Sequence, residues 1–161
     1  NQNLIGDEVI ETERTTPESY ELHALFARMR DAGCTHVIME VSSHSLVLDR
    51  VHGIPFAVGA FTNLTQDHLD FHKTMEEYRK AKALLFSISK KGVINLDDAA
   101  AEKMLADAKC PCMMFSCGKP EADLEATTCS CTRTAWSSPH SIRRKQTSSC
   151  RFRVISRSRM H

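Results

Sequence analysis

Between Glu40 and His72 the chain gathers a carboxylate, hydroxyls, imidazoles, an amide and a guanidinium around two apolar runs. The order is Glu40-Val-Ser-Ser-His-Ser-Leu, then Arg50-Val-His-Gly, then Phe61-Thr-Asn-Leu-Thr-Gln-Asp-His-Leu-Asp-Phe-His. Glu40 closes an apolar segment, where a carboxylate either holds a hard cation such as Mg²⁺ through oxygen or is simply the first solvated residue. Ser42-Ser43-His44 sets hydroxyls beside an imidazole, as a nucleophile pair would, but no G-x-S-x-G elbow surrounds it. The doublet is better suited to hydrogen-bonding a ligand. Asn63, Thr65, Asp67, His68, Asp70 and His72 form the densest polar cluster. His68-x-x-x-His72 would set two imidazoles on one helical face, yet the H-E-x-x-H pattern of zinc enzymes is absent. Magnesium or phosphate suits this oxygen-rich set better. Lys82 lies between Ala81 and Ala83, close to an apolar helix face, where the bland reading is a snorkelling lysine.

The elements that must position these residues alternate between strand and helix. Residues 1–16 read as loop, with a short extended piece at Glu8-Val-Ile-Glu. Thr16 as N-cap and Pro17 at the first helical position open a helix whose buried stripe is Leu22, Leu25, Phe26 and Met29; Gly33 ends it. Thr35-His-Val-Ile-Met-Glu-Val is the expected first strand, and Ala57 to Leu64 the second. Thr74-Met-Glu-Glu77 is a capping box opening a helix to about Lys90, with Tyr78, Ala81, Leu85 and Ile88 on one face. Gly92-Val-Ile-Asn-Leu is a short strand, Asp98 caps an Ala-rich helix, and Cys112-Met-Met-Phe-Ser is a further strand. This alternation predicts an α/β domain with a mainly parallel sheet, flanked by helices and joined by right-handed crossovers. Polar residues where apolar runs stop are where such sheets place their sites.

The chain is 161 residues, one domain's worth, and its net charge of +1 hides an asymmetry. All 20 acidic residues lie at or before Glu125, so residues 1–126 carry 13 basic against 20 acidic, near −7, and the remainder carries +8. No apolar run approaches the roughly 18 residues that a membrane span needs. The N-terminal residues lack the basic and apolar regions of a signal peptide. Seven cysteines at irregular spacing are read as reduced thiols rather than as a disulfide framework. From Thr127 to His161 there is no acid, no glycine and no helical or alternating period; only Phe152-Arg-Val-Ile hints at a strand. Such a composition predicts a disordered tail beyond a domain of residues 1–126.

Taken together, Thr15-Thr16-Pro17, Met39-Glu-Val-Ser-Ser-His-Ser-Leu, Arg50-Val-x-Gly, the Phe61 to His72 run, Tyr78-x-x-Ala-Lys82-x-x-Leu-Phe and Val93-Ile-Asn-x-Asp-Asp98 resemble the central domain of the Mur ligases. Within that family the resemblance is to the members that add the third peptide residue to UDP-MurNAc-L-Ala-D-Glu, using ATP. It covers about residues 1–126 and implies a P-loop-NTPase-like α/β fold. Carried over by position, Thr15, Thr16, Ser42 and Arg50 would contact the UDP-MurNAc-dipeptide. A fixed guanidinium fork at Arg50 suits a carboxylate or phosphate. Glu40 and His68 would hold Mg²⁺, with His68 also counted among the catalytic residues, and Lys82 would be the family's carbamylated lysine, serving a second magnesium. Asn95 falls where the family approaches the nucleotide. The implied partners are the UDP-MurNAc-dipeptide and a diamino acid, either diaminopimelate or lysine. A cytoplasmic monomer is expected, without membrane or nucleic-acid partners.

Departures accompany the match. Leu48 and Ser45 differ from the family's usual residues, and no G-x-x-x-x-G-K-[ST] phosphate loop occurs anywhere in the chain. The chain is therefore expected to be a catalytically inactive portion of a longer ligase. In a shifted reading frame, Thr128 to Ser138 can spell Asn-Leu-Gln-Leu-His-Ala-Asp-Gly-Val-Glu-Phe, and Cys150 to Ser158 can spell Ser-Ile-Pro-Gly-Asn-Phe-Thr-Val. Both resemble how the family continues, so a frame slip near Ala126 is the expected origin of the tail. Two other classes compete: a folylpolyglutamate- or cyanophycin-type ligase of the same superfamily, and a binding module whose basic tail contacts nucleic acid.

Overall fold

The computed structural model describes the backbone of residues 1–66, 69–131 and 148–154, and the side chains of residues 1–66 and 71–125. Two strands, β1 (Gln2–Ile5) and β2 (Glu8–Glu11), pair antiparallel as a separate hairpin. The main sheet has the order β3 (Gly59–Phe61), β4 (Gly92–Asn95), β5 (Cys112–Ser116), β6 (Leu124–Cys131) and β7 (Ser148–Val154). The first four run parallel and β7 is antiparallel at the edge. The expected α/β, mainly parallel architecture is present.

One face of this sheet is covered. Phe61 and Ile94 pack against Ala83 of α4 (Met75–Ala83), Phe86 of the 3₁₀ turn Leu84–Ser87, and Ala101 and Met104 of α5 (Ala101–Asp107). Close approach sets the residue type at Gly59, where a Cβ would stand 2.6 Å from Ser89 Oγ. The opposite face is barer. Ala60, Val93 and Met113 form one row across the three strands, and Met113 is 51% exposed. A second cluster joins Leu22 of α1 (Ser19–Asp31) to Leu46 of α2 (Ser43–Val47) and Val51, with Phe26, Met39, Val41 and Leu85 around it.

Several local expectations shift. Helix α1 begins after Glu18, which shares a capping box with Glu21, and not after Thr16; Thr16 turns inward with 1% exposure. The pattern Thr-Pro is a strong cap signal, but a buried hydroxyl with two backbone partners outcompetes it here. The expected strand over Thr35 to Val41 is extended chain outside any ladder. A strand requires backbone partners as well as apolar residues, and among the described residues no strand pairs with it. Met39 and Val41 still pack inward, while Ile38 is 99% exposed. The helix expected to reach Lys90 tightens into the 3₁₀ turn after Ala83, so Phe86 enters the core and Ile88 is left 38% exposed. Thr74 caps α4 as expected, its Oγ1 accepting from the Glu77 amide at 3.1 Å. Past the expected boundary at Ala126, β6 continues to Cys131 and pairs with β7, with an irregularity between Ala126 and Thr128. Ladder bonds use backbone groups, so Ser, Thr and Cys suffice to extend a strand already templated at Phe115 and Ser116. The rest of the tail lies outside the described residues.

Candidate functional site

The site is built where α1, the extended segment 34–42, α2 and α4 meet. Thr16 Oγ1 donates to the Glu40 carbonyl and accepts from the Ser42 amide, each at 3.0 Å. One hydroxyl thus pins residues 40–42 to the start of α1. Ser42 then caps α2, its Oγ accepting from the Ser45 amide at 3.2 Å. The Ser45 hydroxyl donates back to the Ser42 carbonyl at 2.6 Å. After α2 the chain turns through Asp49, whose φ is 54°, and the Arg50 amide donates to the Ser45 carbonyl at 2.9 Å.

These elements enclose a cavity of about 410 Å³ lined by Thr15, Thr16, Glu40, Ser42, Arg50 and Lys82, together with Ser43, His44 and Tyr78. Six of the residues singled out in the sequence therefore converge on one space. A larger groove of about 770 Å³ lies between the hairpin and α1, but neither Glu40, Arg50 nor Lys82 reaches it. The smaller cavity is the one that gathers these groups.

Arg50 is the cavity's anchored cation. Its side chain is 16% exposed, and Nη2 pairs with Glu18 Oε1 at 3.1 Å, where Arg14 also pairs. Its Nε is buried without a hydrogen-bond partner among the described residues. A buried donor in that state is costly, and an anion in the cavity would relieve it. On the opposite wall Lys82 Nζ donates to the Asn63 carbonyl at 3.2 Å and sits 5.1 Å from the Tyr78 ring centroid. Burial pushes the Lys82 ammonium below the usual lysine range, and the negative charges of Glu40 and Asp98 pull partly back. Glu40 is thus an electrostatic neighbour of Lys82 as well as a co-lining group.

Other expected residues fall elsewhere. Asn95 stands at the carboxyl end of β4, where its Nδ2 donates to the Thr62 carbonyl at 2.8 Å and its Oδ1 accepts from the Asp97 amide at 3.0 Å. It ties two strand ends together and does not line the cavity. His68 lies outside the described residues. His72, read as its partner on a shared helical face, is buried against Ser43, with Nε2 and Oγ 2.7 Å apart. Among the described residues no group of three or more His, Cys, Asp or Glu side chains gathers to hold a metal. The cavity lining offers Mg²⁺ two carboxylates, Glu13 and Glu40, of which Glu40 is the electrostatic neighbour of Lys82.

Sequence reasoning missed Glu18, Ser43 paired with His72, and Tyr78 as a site residue. Tyr78 had a signal, since it precedes Lys82 by four residues on a helix and must share its face. The Glu18–Arg50 pair had none, because it joins segments far apart in the chain.

The mainly parallel sheet, the cavity beside its helices and the order of the lining residues place the chain in the class of α/β domains that carry a polar site beside the sheet. The family described as the Mur ligase middle domain matches residues 2–158, and the chain belongs to the Mur ligase family. It is 59% identical over 106 residues to UDP-N-acetylmuramoyl-L-alanyl-D-glutamate–2,6-diaminopimelate ligase 1 of Clostridium acetobutylicum, covering 66% of this chain and 22% of that protein. It is 53% identical over 124 residues to the ligase of that name in Clostridium tetani, covering 77% of this chain and 25% of the relative. With the Chlorobaculum tepidum ligase the figures are 61% over 105 residues, 63% and 21%. A solved structure of a 2,6-diaminopimelate ligase of this kind superposes with a TM-score of 0.66 at 31% identity, covering 76% of this chain and 27% of that one. The chain spans about a quarter of the length of these relatives or less.

Proposed function

We propose that the chain forms the acceptor-substrate side of an ATP-dependent amide ligase that extends UDP-MurNAc-L-Ala-D-Glu by 2,6-diaminopimelate, a step of cell-wall precursor synthesis. The observation that carries this reading is the convergence of Thr15, Thr16, Glu40, Ser42, Arg50 and Lys82 on one cavity. Arg50, with a buried Nε–H lacking an acceptor, would take a carboxylate of the substrate's acidic end. Thr15 and Ser42 would hydrogen-bond its polar groups, and Thr16 would hold the wall that carries them.

Glu40 and Lys82 are the residues of the cavity that would hold Mg²⁺, with His68 as a further ligand. A lysine ammonium cannot ligate a cation. Burial favours the neutral amine at Lys82, and the neutral amine adds CO₂ with loss of a proton to give an anionic carbamate. ATP and Mg²⁺, when bound, supply the phosphoryl group that activates the substrate carboxylate for attack by the incoming amine. Asn95, at a strand end, would stand near the nucleotide. The 161 residues contain no G-x-x-x-x-G-K-[ST] loop to cradle the phosphates, so this chain by itself is expected to show no ATP-dependent ligation. On this reading the ligase works in the cytoplasm, where its nucleotide-linked substrate is made, and as a monomer without nucleic-acid partners. Among the described residues no helix is long and apolar enough to cross a membrane.

The test is calorimetric titration of the purified chain with UDP-MurNAc-L-Ala-D-Glu in Mg²⁺. Binding that Arg50→Ala weakens by about tenfold or more supports the assignment, the scale expected for losing a charged hydrogen bond. Binding that Arg50→Ala leaves unchanged would move the substrate site elsewhere.

A further inference from the structure

Behind the cavity wall, against its lining residues Ser43 and Tyr78, lies a buried imidazole that the proposed chemistry does not use. His72 is 5% exposed and closes α3 (Leu69–His72) immediately before Lys73, whose φ of 49° turns the chain into α4. Its Nε2 and the Ser43 hydroxyl form a buried hydrogen bond of 2.7 Å. Its ring stacks on Tyr78, with centroids 5.0 Å apart and planes 18° apart. Phe71 beside it packs on His44 at 4.1 Å. Tyr78 in turn carries the Lys82 ammonium 5.1 Å from its centroid. Ser43 is 3% exposed and Tyr78 4% exposed, so neither group can exchange these contacts for water without opening the core.

The two walls of the cavity belong to different elements. Ser42, Ser43 and His44 come from the start of α2, and Tyr78 and Lys82 from α4. His72 touches both. We propose that His72 is a positioning residue of the site, which locks the first turn of α2 against α4 and thereby fixes where Ser42 and Lys82 stand relative to each other. The inference rests on the reading of this cavity as the substrate site, and it adds the residue that holds the site's shape. A pure packing role would need only a ring of similar volume. Holding the α2 turn needs the polar nitrogen, because Ser43 Oγ is otherwise a buried hydroxyl deprived of this bond.

The experiment compares His72→Gln, whose amide can reach Ser43, with His72→Phe, which keeps a ring on Tyr78 and loses the bond. Met104→Ala serves as the stability control, since Met104 is 0% exposed in the other core cluster. Each variant is titrated with UDP-MurNAc-L-Ala-D-Glu and its amide spectrum recorded by NMR. Expected are binding weakened by about tenfold in His72→Phe, the scale of one buried group losing its partner, and near wild-type binding in His72→Gln and Met104→Ala. Equal binding by His72→Phe and wild type would overturn the inference. If the wild-type chain does not bind, the substrate reading fails, and the amide spectra decide the positioning role. Displacement of the Ser42, Ser43 and Lys82 amides in His72→Phe, absent in His72→Gln and Met104→Ala, supports it. Equal shifts in all three variants refute it.

Discussion

Thr16 shows how one side chain decides a local structure. With Pro17 and an acid after it, it has every mark of a helix cap, yet its hydroxyl serves the Glu40 carbonyl and the Ser42 amide instead. Thr16→Val keeps the shape and strands both backbone groups, so stability should fall by about 1–3 kcal/mol, with Thr16→Ser close to wild type; urea unfolding reads both. Ser116 is a second such residue, 0% exposed, donating to Asp97 at 2.5 Å and accepting from the Gly118 and Lys119 amides. The Ser116 hydroxyl, joined by the Cys117 amide donating at 2.7 Å, holds the Asp97 carboxyl below the usual carboxylate range. Glu76 carries a pH dependence. Its hydrogen bond to Arg79 lowers its pKa from 4.5 to about 2. A carboxylate with a depressed folded pKa contributes stability that is present above 4.5 and lost as pH falls toward 2. The melting temperature should therefore drop across that window, and Glu76→Gln should flatten part of the slope. An unchanged slope in Glu76→Gln would assign it to other carboxylates.

At the scale of elements, α4 and α5 are joined by a buried cation. The Arg79 side chain is 6% exposed and reaches Glu76 at 2.8 Å, Asp107 at 2.7 Å and the Lys103 carbonyl at 3.2 Å. Its partners hold the guanidinium firmly protonated. Arg79→Ala should cost about 1–3 kcal/mol, the scale of charged hydrogen bonds lost when the carboxylates left behind are half exposed. Unfolding midpoints measure it, and a cost under about 1 kcal/mol would class the network with exposed pairs. Helices and strands with a local signature were legible from sequence: the Thr74 cap, the α1 stripe at Leu22 and Met29, and the short strands at Gly92 and Cys112. The segment Thr35 to Val41 was not, because strand identity depends on a neighbour that no local pattern encodes. Thr15, Thr16, Glu40, Ser42, Arg50 and Lys82 were singled out through motif resemblance, and the fold brings them to the lining of one cavity. The roles of Glu18, Ser43, His72 and Tyr78 arise from contacts between distant segments, visible only once the elements are placed.

At the scale of the molecule, two compositions meet near Ala126. The acids end at Glu125, and the relatives named above match over 106, 124 and 105 residues of the 161. We propose a frame slip there. Sequencing of the coding DNA should find that a single-base insertion or deletion near the Ala126 codon restores the family's continuation. An intact frame would contradict this and leave the tail a genuine part of a family match that reaches residue 158. Among the described residues the main sheet is also covered on one face more than the other, with Met113 and Ala60 exposed. The central claim concerns the cavity between residues 13–16, the start of α2 and α4, and NMR shift mapping with UDP-MurNAc-L-Ala-D-Glu tests it most directly. The account predicts perturbed amides at Thr15, Thr16, Glu40, Ser42, Arg50 and Lys82, with the hairpin and α5 unmoved. Perturbations gathered instead in the groove between the hairpin and α1, or none at ligand saturation, would contradict it.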